Sequence, residues 1–184
     1  MDRAEAAASR ASAGEERAAS SSGERGKFLW VSIVALAIVL LDQVTKLWVA
    51  ASMRLHESIP VIPDFFSLTY VRNTGAAFSM FAGHDASYRV PFFIVVSLIA
   101  AGVIVSLIRS TPSSQKLALL GCALVLGGAV GNLIDRIAYG EVIDFLDVYW
   151  GDWHWPAFNV ADSAITSGVV LLLFRGVFFG QREG

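Results

Sequence analysis

The chain has 184 residues, of which 55% are hydrophobic and only 16% charged, with a formal net charge of −2 and a mean hydropathy of +0.58. That balance excludes an ordinary soluble domain and gives no basic field of the kind nucleic-acid binders carry. A single cysteine, Cys122, leaves no intrachain disulfide and no Cys-rich metal site, and His56, His84 and His154 show no HExxH spacing. The expectation is an integral membrane protein.

Residues 1–26 are dominated by Ala, Ser, Glu and Arg. They cannot bury enough surface to fold alone, so they read as a disordered tail. A cleaved signal peptide ending at Ala50-Ala51-Ser52 would need Asp42 and Lys46 in its apolar region, so a retained anchor is expected. The first helix is expected over about 28–51. In it Asp42, Thr45, Lys46 and Val49 share one face by helical spacing, with Trp30 and Trp48 near the two ends. Asp42 and Lys46 form a self-neutralising pair or part of a functional site; ionisable groups inside a span favour the second reading.

Residues 53–88 are too polar and broken to span. Pro60 and Pro63, the strand-like run 65–71 and a turn at Arg72-Asn73-Thr74-Gly75 predict a small β-rich cap. A second helix follows over 90–108, flanked by Arg89 and Arg109, with Pro91 in its first turn. A third is expected over about 116–138, carrying Gly127 and Gly131 in a spacing that permits close helix contact. A short aromatic-rich loop then leads to a fourth, about 162–179, with Asn159 as N-cap, Asp162 in the first turn and Arg175 snorkelling to the nearer interface. The fold class expected is an all-α membrane protein of four transmembrane helices with an extracytoplasmic cap. Arg3, Arg10, Arg17, Arg25, Lys27, Arg109, Lys116 and Arg182 on one side, against Arg54, Arg72, Arg89 and Arg136 on the other, favour both termini inside.

Depth counting gathers the polar residues. At 1.5 Å per residue Asp42 lies about 21 Å along the first helix, and Asn132 roughly 24 Å along the third. Asp42, Lys46, Asn132, Asp135, Arg136, Asp144, Asn159 and Asp162 therefore collect near the outer surface. Three chemistries fit such a cluster: a Ser–Lys dyad of Lys46 with Ser79 or Ser163, a metal held by Asp144, Asp147, Asp152 and Asp162, or an aspartate pair sharing one proton. Cys122, early in the third helix and without a nearby histidine, reads as a core residue.

Five blocks resemble lipoprotein signal peptidase (signal peptidase II): DQVTK at 42–46, VRNTGAAFS at 71–79, GGAVGNLIDR at 127–136, GEVIDF at 140–145 and PAFNVADS at 156–163. The resemblance covers nearly everything after residue 27. It implies a bacterial aspartic endopeptidase of the cytoplasmic membrane, with its site at the periplasmic face and no metal or other cofactor. Its substrates are diacylglyceryl-modified prolipoproteins embedded in membrane lipid, cut before the lipidated cysteine, and a monomer is expected. Matched block by block, Asp144 and Asp162 are the catalytic pair. Asp42, Lys46, Asn73, Asn132, Asp135, Arg136 and Asn159 shape the site or contact substrate. The division that follows is a cytoplasmic tail over 1–26, a four-span peptidase domain over 27–180 with its cap at 53–88, and a cytoplasmic end over 181–184.

Overall fold

A computed structural model describes the backbone of residues 3–75 and 86–179, and the side chains of 23–75 and 88–176. Part of the cap, the Ala76–Ser79 portion of the second block and the final residues 180–184 lie outside the described residues. The elements in order are α1 (Arg3–Ser52), β1 (Ser58–Ile62), β2 (Phe66–Asn73), α2 (Ala86–Ser110), α3 (Lys116–Tyr139), β3 (Val142–Trp150), β4 (Trp153–His154) and α4 (Val160–Phe179). Three helical stretches are long and apolar enough to cross a membrane: Gly23–Ser52, Tyr88–Ser110 and Lys116–Tyr139.

Two differences from the sequence expectations matter. α1 is helical backbone from Arg3 instead of beginning near residue 28. Ala, Glu and Arg, which fill that segment, are strong helix formers, and a helix already nucleated by the span propagates into them at little cost. The second difference lies between α3 and α4. Residues 142–150, read as part of a loop, form the longest strand of the molecule's sheet. Asp144 and Asp147 there mask the strand character of Val142, Ile143, Phe145, Val148 and Tyr149.

The sheet is antiparallel with strand order β1-β2-β3-β4. In β2–β3, Val71 stands opposite Asp144 and Asn73 opposite Val142. On the other side of β3 the chain returns as a single bridge, Leu146 to Phe158. The Phe158 carbonyl accepts from the Phe145 and Leu146 amides at 3.0 and 2.8 Å. β3 is thus clamped between β2 and the segment that enters α4. The turn into β3 is tight because α3 stops at Gly140, whose φ of 74° and N–H bond to the Arg136 carbonyl make it a left-handed C-terminal cap.

The apolar interior divides in two. One cluster joins Val31 of α1, Ile104 and Ile108 of α2, and Leu119, Cys122, Ala123 and Val125 of α3. The lone thiol is fully buried there, as expected of a core residue. The other packs Val49 and Met53 at the end of α1 beneath Tyr70, Ile143 and Phe145 of the sheet. It seats the sheet on the helix ends. Near the start of the apolar stretch of α1, Lys27 is buried, paired with Glu24 at 2.8 Å and donating to the Thr111 carbonyl at 3.1 Å. That contact ties α1 to the α2–α3 turn.

α3 packs at the centre, and its glycines set how closely its neighbours approach. A Cβ on Gly131 would stand 2.6 Å from Asp42 Oδ2, and one on Gly128 would collide with the Ala161 carbonyl. The small-residue spacing read from the sequence therefore serves two interfaces at once. Gly128→Leu is expected to push α4 off α3 and destabilise the protein by about 1–3 kcal/mol or more, seen as a lowered midpoint in thermal unfolding of the purified protein.

Candidate active site

Four elements deliver the polar cluster. α1 brings Asp42, Gln43 and Lys46; α3 brings Asn132, Asp135 and Arg136; β3 brings Asp144; the start of α4 brings Asn159 and Asp162. Asn73 reaches in from the end of β2.

The base of the site is a buried ion cluster. Lys46 Nζ lies 2.8 Å from Asp42 Oδ2 and 2.9 Å from Asp135 Oδ2, with all three side chains at most 1% exposed. The carboxylate oxygens accept further bonds. Asp42 Oδ1 accepts the Ala161 N–H at 2.9 Å, one of the orphan amides of the α4 first turn. Asp135 Oδ2 accepts the Ile143 N–H at 3.1 Å, next to Asp144. Gln43 Nε2 joins both carboxylates, at 3.1 Å to Asp42 Oδ2 and 3.0 Å to Asp135 Oδ1, and also donates to the Gly131 carbonyl at 3.2 Å. Sequence reading passed over Gln43; its only signal was a polar side chain inside a span, one position from Asp42. Thr45, placed on the functional face by spacing, instead donates to the Leu41 and Asp42 carbonyls of its own helix.

Above this base sits an amide relay. Lys46 has only donors, and its third bond, 2.9 Å, fixes Asn132 Oδ1 as the acceptor. Asn132 Nδ2 is thereby turned to Asp162 Oδ1 at 2.7 Å. Asn159 Nδ2 donates to Asn132 Oδ1 at 3.1 Å and to Asp144 Oδ1 at 2.7 Å, with a longer contact of 3.2 Å to the Ile143 carbonyl. Asn159 also caps α4 reciprocally: its Oδ1 accepts the Asp162 N–H at 2.9 Å, while Asp162 Oδ2 accepts the Asn159 N–H at 3.3 Å. Asn73 Nδ2 donates to Asp144 Oδ2 at 2.8 Å, its own oxygen being held by the Gly75 N–H. The two carboxyl groups share no direct hydrogen bond; they are linked through Asn159 and Asn132.

Arg136 is less central. It donates to the Asn132 carbonyl at 3.3 Å and lies 5.1 Å from the Phe93 ring centre. Its charge acts on Asp162, Asp144 and Asp135 without a direct bond to any of them.

Asp144 is 1% exposed. Burial pushes its carboxyl up to about 7, against the opposing pull of the Asn73 hydrogen bond; the Asp162 charge adds to the rise, and Asn159 and Lys46 oppose it. Each carboxyl nevertheless borders a cavity. Asp162 lines one of about 390 Å3 with Trp155, Phe158, Ser163, Thr166 and Ser167. Asp144 lines another of about 220 Å3 between residues 71–74 and Pro156-Ala157.

The geometry discriminates among the three chemistries. Lys46 Nζ directs its contacts at two carboxylates and an amide oxygen, and none at a serine hydroxyl. Ser163 donates its hydroxyl to the Asn159 carbonyl at 2.9 Å, and Ser79 lies outside the described residues. Asp147 is engaged by His154 at 2.9 Å and by Thr69 at 3.2 Å, and Asp152 is exposed in the β3–β4 turn. The four aspartates therefore do not converge, whereas Asp144 and Asp162 meet on one amide relay.

Residues 34–178 match the family model described as signal peptidase (SPase) II. The chain belongs to the signal peptidase II family. It is 58% identical over 139 residues to the lipoprotein signal peptidase of Geobacter sulfurreducens, covering 76% of this chain and 86% of that one. To the protein of the same name from Geobacter metallireducens it is 55% identical over 152 residues, covering 83% and 93%. A solved bacterial membrane enzyme superposes with a TM-score of 0.71 at 34% identity, over 81% of this chain and 93% of the other. The family assignment drawn from the five sequence blocks is thus borne out, and the whole described site falls inside the matched span.

Lys46→Met would leave Asp42 and Asp135 as buried carboxylates without a counter-charge. The expected loss is about 3–5 kcal/mol of stability, read as a lowered unfolding midpoint; an unchanged midpoint would show that the cluster does not carry the fold.

Proposed function

We propose that the protein is a membrane aspartic endopeptidase that removes signal peptides from prolipoproteins, cleaving before the diacylglyceryl-modified cysteine. The observation that carries this reading is the amide relay: two carboxyl groups on different elements, held apart and oriented by Asn73, Asn132 and Asn159, each opening to its own cavity.

Such a pair works with one shared proton. The ionised member takes a proton from water as the water oxygen attacks the scissile carbonyl carbon. The protonated member gives its proton to the carbonyl oxygen, forming a tetrahedral diol. Collapse breaks the carbon–nitrogen bond, and the departing amine is protonated by the carboxyl that received the proton from water. Burial supports this chemistry, because two like charges in a poorly solvated site do not both ionise at neutral pH.

The reading places α4 as a fourth membrane span. Its 20 residues reach about 30 Å, the thickness of the hydrocarbon core. Both termini then face the cytoplasm, in keeping with the basic residues counted above, and the site lies at the periplasmic face of the inner membrane. There the anchored cysteine and its acyl chains meet the carboxyls, and the signal peptide lies among the spans. Asp42, Lys46, Asp135 and Arg136 hold the frame. The exposed Trp150, Trp153 and Trp155 and the sheet clasp substrate from outside. Neither the aspartate chemistry nor this placement calls for a metal or a second copy of the chain.

Asp144→Asn and Asp162→Asn are each expected to lower cleavage of a lipidated precursor peptide by about a thousandfold or more, with membrane insertion unchanged. Full activity in either purified variant would remove the pair.

The sign of the pH dependence follows from the raised Asp144 carboxyl. Below about 7 the pair retains a proton; above it both members ionise and the acid is lost. Cleavage is expected to fall about tenfold per pH unit on the alkaline side. Asn73→Ala removes a donor that favours ionised Asp144, so this limb should move to higher pH. A limb that stays in place would detach Asn73 from Asp144.

A further inference from the structure

The end of the bundle away from the carboxyl pair holds a third cavity, one that the peptidase reading does not use. It measures about 350 Å3 and is lined by Ser114, Gln115, Lys116, Leu117 and Arg175. Two of those residues are cations and none is acidic. Among the described residues, neither Lys116 nor Arg175 forms an ion pair. The contrast is with Lys27, also at this end, whose charge is met by Glu24 and by the Thr111 carbonyl.

Depth places the cavity at a membrane boundary. Lys116 precedes Asn132 by about 24 Å of helix, and Arg175 follows Asp162 by about 20 Å. The two helices run antiparallel in close contact, as the Gly121–Gly168 approach shows. Both cations therefore stand at one level, across the apolar slab from the site. The lining also includes an apolar side chain, the partly exposed Leu117.

Two cations with no acidic partner among the described residues, beside a hydroxyl and a leucine in a mostly apolar cavity, match one kind of ligand: a phosphodiester carried on acyl chains. A guanidinium presents a fork of donors to phosphate oxygens, and an ammonium adds a point charge. Basic pockets between spans on the cytoplasmic side are where anionic headgroups are held. A soluble phosphate would gain nothing from the apolar lining. We infer that the Lys116–Arg175 cavity binds the headgroup phosphate of an anionic glycerophospholipid from the inner leaflet, bridging the start of α3 to the end of α4. This rests on the proposed reading in taking α4 as a span and both termini as cytoplasmic.

The test uses the full-length protein in neutral detergent, with phosphatidylglycerol, phosphatidylcholine or inorganic phosphate added. Lipid retention is read by native mass spectrometry and stability by thermal unfolding. Phosphatidylglycerol should be retained and should raise the unfolding midpoint, with phosphatidylcholine doing neither. Lys116→Gln with Arg175→Gln should weaken retention roughly thirtyfold, at two charges' worth of interfacial attraction, while cleavage of a lipidated precursor in phosphatidylcholine stays at the wild-type rate. Lys116→Gln alone, about fivefold weaker, carries the test if the double variant does not fold. Equal retention of both lipids, or undiminished phosphatidylglycerol retention in the variants, overturns the site. A midpoint shift with inorganic phosphate and none with lipid overturns the lipid assignment. Retention without any cleavage activity would unseat the peptidase reading and leave this site standing.

Discussion

Lys46 is the ion on which the rest of the site depends. One ammonium group, buried between Asp42 and Asp135, directs its third hydrogen bond at Asn132. Burying one cation with two carboxylates is costly unless every oxygen finds a donor. Here the remaining donors come from the parts that must be positioned: the Ala161 amide at the start of α4, the Ile143 amide beside Asp144, and Gln43 between the two acids. Satisfying the cluster and assembling the site are the same event.

The asparagines extend that logic outward. An amide side chain has one acceptor oxygen and one donor nitrogen, and either orientation fits the same space. Lys46 has no acceptor, so it leaves Asn132 one choice, and that choice presents a donor to Asp162. Asn159 is fixed in the same sense by the Asp162 amide on its oxygen, which leaves its nitrogen for Asp144. Both carboxyls thus receive amide donors, and at Asp144 those donors favour ionisation while burial opposes it. For Asp144 burial prevails, and its carboxyl stands near 7.

Much of this was legible in the sequence because helices keep regular spacing. Asp42 and Lys46 stand one turn apart, and depth counting along α1 and α3 brought Asn132 to their level. The spacing of Gly127 and Gly131 marks α3 for close helix contact. What spacing could not express were the non-local contacts. β3 is hidden because its carboxylates look like loop, whereas pairing to β2 and to Phe158 makes it a strand. Gln43 was overlooked because its partners sit on α3, far away in sequence, while Thr45 was credited by its position on a face although it bonds only its own helix. The start of α1 was misjudged for a different reason. Composition reports whether a segment can bury a core, not whether it can ride on a helix already formed.

Asn159 holds two posts at once, as the N-cap of α4 and as a donor to Asp144. Helix ends are the first parts of a helix to open, and a cap is what delays it. Fraying of that first turn would strip Asp144 of one of its two amide donors and turn Asp162 away in the same motion. With these two as the catalytic pair proposed above, the site disarms before the bundle comes apart. A loosened molecule in the membrane is inert rather than an unguarded protease.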